Sequence, residues 1–157
     1  MLIITRLLPP DDAAPVVATL SLTAGDRTKS RHRFTTDDGT PLYLNLARGT
    51  VLRGGDLLSG DADDTMVRVV AKPEPVVVVT AADGFDLIRA VYHLGNRHVS
   101  LELAADRLML EPDSVLEAML SQLGGLELTR ATLRFEPEAG AYQSGHTHLH
   151  DRGHDHN

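Results

Sequence analysis

Residues 76–103 read VVVVTAADGFDLIRAVYHLGNRHVSLEL. The opening run Val76–Thr80 is β-branched without a break, the pattern of a central strand covered on both faces. Asp83 is placed to cap a helix, Asp86 follows three residues on, and Gly95-Asn96 closes the helical stretch. From His98 the apolar residues alternate, which is the mark of a strand. Strand, helix and strand in 28 residues make one βα unit and the start of its return.

The chain beyond this stretch completes the unit. RLMLEP (residues 107–112) reads as a neighbouring strand, and PDSVLEAMLSQLGG (112–125) as a helix between Pro112 and Gly124. Val115, Leu116, Met119, Leu120 and Leu123 form its apolar stripe. LELTRATLRFEP (126–137) supplies a last strand. The order βαββαβ is the split βαβ pattern of a ferredoxin-like domain, expected over residues 73–140. KPEP (72–75) marks its upstream boundary.

Residues 1–72 read as short strands broken by Gly, Asp and Pro, the pattern of a small sandwich or barrel. LIITRLL (2–8), VVATLSLT (16–23), LYLNL (42–46) and TMVRVVA (65–71) are the strand candidates. In RTKSRHRF, Arg27, Lys29, Arg31 and Arg33 fall on one face of an extended chain, with His32 and Phe34 on the other. Two readings of that basic strip stand side by side. It is a solvated strand face, the commoner case, or a docking strip for an acidic partner. The fold class is thus α+β, with a β-rich first domain and a ferredoxin-like second.

Residues 141–157 differ from both. Five of the eight histidines lie in the last dozen positions, interleaved with Asp, Thr, Gly and Arg. Such a composition cannot pay the entropy of ordering by burial, so a disordered tail is expected in the absence of metal. In an extended stretch His146, His148 and His150 project to one side, roughly 6–7 Å apart. His154, His156, Asp151 and Asp155 add donors. Imidazole suits nickel, zinc and copper, and interleaved His/Asp is a metal-binding composition. The bland readings are a solvated polar end or an expression scar, although a tag would ordinarily be an unbroken histidine run.

Composition excludes several functions. There are no cysteines, so thiolate nucleophiles and thiolate metal sites are out and any metal must be held by nitrogen or oxygen. The formal charge of −7 disfavours nucleic acid as a partner. No G-x-S-x-G, P-loop or H-E-x-x-H pattern is present, and no carboxylate pair stands out, so an enzyme is not expected. The start MLIITRLLPPDD lacks the basic and apolar regions of a signal peptide, and no run is long enough for a membrane span. A cytoplasmic protein is the expectation. Taken alone, His98 at a tight exposed corner is more often a surface or cap residue than a ligand, and His93 in the last helical turn suits the helix dipole.

Four stretches together resemble a known family. TRLLP (5–9), LTAGDRTKSRHRFTTDDGTPLYLNLARGTVLRGGDLL (22–58), YHLGNRHVSLEL (92–103) and EPEAGAYQSGHTHLH (136–150) are similar to the urease accessory metallochaperone family, UreE. The resemblance implies a peptide-binding-like first domain and a second that binds metal and forms a homodimer. It implies that His98 faces its symmetry mate and shares one Ni²⁺ with it, supplemented by His146 and His148. The implied partners are the urease accessory GTPase and the urease apoprotein–accessory complex, with further pairing of dimers around a metal left open. Zn²⁺ competes for the same ligands, and a Ni/Zn buffer without a delivery role is the alternative function. The chain departs from some members at LMLEPDSV, where Leu110 and Pro112 replace a histidine pair, so no further site is expected there.

Overall fold

The computed structural model describes residues 1–61 and 65–142. The first half contains seven strands: β1 (Leu2–Ile4), β2 (Arg6–Leu8), β3 (Val16–Leu22), β4 (Arg31–Thr35), β5 (Pro41–Asn45), β6 (Leu57–Ser59) and β7 (Met66–Ala71). They form two sheets, a three-stranded one in the order β1-β5-β4 and a four-stranded one in the order β2-β6-β7-β3. Neither sheet closes on itself, so the arrangement is a sandwich and not a barrel. Period-two alternation builds the core between the sheets. Leu42 and Leu44 point inward from β5, Leu20 and Leu22 from β3, and Val67 and Val69 from β7.

LIITRLL is not the single strand expected. It divides at Thr5, so that β1 pairs with β5 in one sheet and β2 with β6 in the other. Thr5 N–H donates to the Ser59 carbonyl at 3.0 Å, holding the corner where the chain changes sheet.

The second half is the expected βαββαβ: β8 (Glu74–Ala81), α1 (Gly84–Asn96), β9 (Glu102–Leu103), β10 (Leu108–Leu110), α2 (Ser114–Leu123) and β11 (Leu126–Leu133). The sheet order is β11-β8-β10-β9 with every neighbouring pair antiparallel. That order is what two interleaved split βαβ units produce. β8 is central and buried on both faces. Val77 and Val79 lie beneath the helices with Leu87, Ala90, Leu94 and Leu120. Val76 lies on the opposite face with Met109, Phe135 and Ala24. One member of the α2 stripe departs from expectation: Val115 is 74% exposed, while Leu120 is fully buried.

Ala24 belongs to the first half, so the back of the second-half sheet is closed by the first half. Arg27 fastens this contact. It does not lie on an extended strand but in a 3₁₀ turn (Asp26–Thr28), and it is 1% exposed. Its guanidinium donates to the carbonyls of Phe135 and Leu22 and pairs with Glu136. Glu136 also accepts from Gly54 N–H at 2.6 Å, Arg53 donates to the Pro137 carbonyl at 2.6 Å, and Glu74 accepts from Ala24 N–H at 2.8 Å. Burial raises the carboxyls of Glu74 and of Asp56, whose side chain accepts from Arg53 N–H, above the ordinary range. Because these folded values are raised, their contributions favour folding at acid pH and fade as pH rises through them.

Removing the Arg27 side chain strands the buried Phe135 carbonyl, leaves the Leu22 carbonyl with Lys72 N–H alone and opens a void. Arg27→Ala is expected to lower unfolding free energy by about 3 kcal/mol in urea titration.

Candidate metal centre

His98 is set in place by the end of α1. The helix starts at Asp83, whose carboxylate accepts from Phe85 N–H at 2.9 Å. It does not stop at Gly95. Gly95 and Asn96 are inside it, Arg97 is the C-cap, and the chain then turns through His98 in the left-handed region at φ 56°. His98 N–H donates to the Gly95 carbonyl at 3.0 Å and Val99 N–H to the Leu94 carbonyl at 3.3 Å. This bond pair is the common left-handed helix ending, with Val99 folding back onto Leu94 in the core. Glycine ordinarily fills the left-handed position. His98 is the sole non-glycine residue at positive φ among those described.

The imidazole is exposed at the mouth of an open cleft of about 270 Å³, lined also by Arg97, Ser100, Glu111, Pro112 and Asp113. Asp113 is occupied as the α2 cap, accepting from Val115 and Leu116 N–H at 2.9 and 3.1 Å. Among the described residues no three His, Cys, Asp or Glu side chains come together as a metal site. His98 therefore makes no metal site with its described neighbours alone.

The same helix bears an unusual outer face. Leu87, Ala90 and Leu94 are buried, whereas Phe85, Ile88 and Tyr92 are 64%, 66% and 65% exposed. Spaced i, i+3 and i+7, these three form an apolar stripe that runs along α1 toward the His98 end. Sequence reasoning missed it, although the signal was there: α1 is apolar over more than one face.

The remaining candidates are scattered. His93 is half-buried in the last helical turn, its ring edge-on to Tyr92 with centroids 5.4 Å apart. His32 is exposed on β4, 4.7 Å from the ring of Phe34. Of the basic strip, Arg27 is buried and Lys29 pairs with Asp26 at 2.9 Å, so only Arg31 and Arg33 share an exposed strand face. The reading of four basic residues on one strand fails because the 3₁₀ turn breaks the period-two alternation. His146, His148 and His150 lie outside the described residues.

Residues 4–72 match the family described as UreE urease accessory protein, N-terminal domain, and residues 74–157 the family described as UreE urease accessory protein, C-terminal domain. Among similar proteins, one from Nostoc punctiforme is 51% identical over 96% of this chain and all of its own length. One from Cupriavidus necator is 51% identical over 96% of this chain and 80% of its own. One from Escherichia coli O157:H7 is 45% identical over 99% of this chain and 100% of its own. All three are named urease accessory protein UreE, the name of an accessory protein and not of an enzyme.

The left-handed turn makes the cost of His98 measurable. In metal-free protein, His98→Gly is expected to raise unfolding free energy by about 0.5–1 kcal/mol, while His98→Ala, which keeps a Cβ at positive φ, gains nothing. Denaturant titration of the three proteins checks the ranking, and a glycine variant no more stable than the parent would contradict it.

Proposed function

Because the chain belongs to the UreE family of urease accessory proteins and so serves urease maturation, we propose that it carries Ni²⁺ to the maturing urease on imidazole ligands. The observation that bears most of this reading is His98. A histidine held at a left-handed position that glycine would fill at less cost, exposed and free of structural duty, is what a ligand position looks like.

The apolar stripe Phe85, Ile88 and Tyr92 supports a homodimer formed through the second half, since a face of this kind is ordinarily covered. A two-fold axis near the end of α1 turns one His98 into a pair. Two imidazoles leave the other nickel positions to water, to His146, His148 and His150, or to a recipient's ligands. At a maximum of about 3.5 Å per residue, His146 stands within roughly 14 Å of Tyr142. Without thiolates the ion is held by exchangeable nitrogen ligands, which suits transfer more than storage. Zn²⁺ fits the same donors. In this reading residues 1–72 dock the urease accessory GTPase or the urease–accessory complex, residues 73–140 bind metal and dimerise, 141–157 form the metal-collecting tail, and the protein works in the cytoplasm.

Calorimetric titration with Ni²⁺ and Zn²⁺, with molecular mass measured alongside, tests the proposal. His98→Ala should remove the shared site while leaving the dimer intact. Ending the chain after Gly140 should reduce the number of ions bound and weaken the first by about ten- to a hundredfold. One tight ion per dimer surviving in His98→Ala would overturn the interface site. Nickel affinity should also fall between about pH 7.5 and 5.5, because imidazole must shed its proton to ligate.

A charge on the stripe separates dimer from site. Ile88→Glu is expected to sediment as a monomer and to lose the shared ion, with circular dichroism unchanged. A dimer persisting in that variant would place the interface elsewhere.

A further inference from the structure

The outer edge of β4 combines an unpaired backbone with a basic face. β4 ends the three-stranded sheet, and its other side is open along Arg31–Thr35 up to Asp37, whose N–H donates to the Thr19 carbonyl of β3. Its register with β5 is fixed by Leu46 N–H donating to the Ser30 carbonyl and Thr36 N–H to the Thr40 carbonyl. In an antiparallel ladder bonded pairs alternate. The pairs 30/46 and 36/40 are bonded, so 32/44 and 34/42 are too, and the N–H and C=O groups of Arg31, Arg33 and Thr35 point away from β5. None of these groups has a partner among the described residues. They are three donors and three acceptors along an open strand edge.

The side chains define what would pair there. Arg31 and Arg33 are exposed on the outer face, and across the sheet from Arg33 stand Tyr43 and then Ile3, 37% and 46% exposed. Arginine and tyrosine around an aliphatic patch is a protein-recognition composition. On the inner side of the edge, exposed His32, its ring tilted 58° against that of half-buried Phe34, makes with it a ring-lined shelf. The whole chain carries −7, so this positive face runs against the overall sign. Two arginines are too few for a nucleic-acid footprint, and the net charge opposes an anionic membrane.

We infer that β4 accepts an extended acidic segment of a partner protein as a fourth strand. Carboxylates at every second position of that segment face Arg31 and Arg33, and the alternate apolar residues rest on His32 and Phe34. This deepens the partner-docking part of the proposed function and does not depend on its metal part.

The test uses the full chain treated with chelator and a capped heptapeptide of sequence TEVEVET, with TKVKVKT as its counterpart. NMR should show the acidic peptide shifting the amides of Arg31, Arg33 and Thr35 and slowing their hydrogen exchange at least about tenfold at saturation. Arg31→Glu with Arg33→Glu should weaken it by about tenfold or more, and added salt should weaken it as well. Thr35→Pro should lower affinity by removing one outward N–H. Should that variant misfold, the exchange data on the unaltered protein decide alone. Binding without amide protection would reduce the site to surface charge and overturn strand addition. No binding, or equal binding of TKVKVKT, a single-stranded oligonucleotide or anionic vesicles, would overturn the proposal and leave the arginines as guards of an exposed edge. No metal enters the measurement, so loss of the nickel reading and loss of this one are separately visible.

Discussion

β8 has no face toward solvent, and much of the architecture follows from satisfying that condition. Its inner valines need both helices above them, which draws α1 and α2 to one side of the sheet. Its outer Val76 needs a second cover, which comes from Phe135 just past β11 and from Ala24 of the first half. Each buried Val contributes about 1.5 kcal/mol or more, so neither face could be left open cheaply. Bringing a second body against a sheet buries backbone carbonyls with it. The guanidinium of Arg27, with its several donors, meets those of Leu22 and Phe135 and the carboxylate of Glu136 together.

Where local chemistry decided the outcome, the residues could be read directly. Val76–Thr80 announced a doubly covered strand, Asp83 caps the helix that follows it, and the βαββαβ order emerged from periodicity alone. Where distant contacts decided, they could not. Arg27 looks like one of four alternating basic residues, yet Thr23 closes a turn around it and two of its partners, Phe135 and Glu136, stand more than a hundred positions away. β9 shrinks to two residues because Leu101 turns into the core and the Glu102 carboxylate is used to hold Glu136 N–H. The end of α1 is subtler. Gly95-Asn96 is the stronger stop signal, but packing Val99 on Leu94 is worth more, and it moves the left-handed turn three residues on to His98.

The candidate site was legible in part for the same reason. Its residue could be named from sequence, first as an unremarkable corner histidine and then, through family resemblance, as a ligand. Its backbone conformation and the exposed stripe beside it needed coordinates. Both bear on chemistry. A turn tied by two backbone bonds presents the imidazole from a fixed platform, and an exposed apolar stripe runs along the helix that leads to it.

The turn at His98 also says something about time. Random substitution tends to drift a sequence toward whatever its fold tolerates best, and selection retains a locally unfavourable residue only while it is in use. A left-handed position at a helix end has an easy exit to glycine or asparagine, both within reach of small mutational steps. A lineage that ceased to need the imidazole would be free to take that exit and would gain stability by it. Histidine at this corner is therefore expected to persist only while its imidazole is in use.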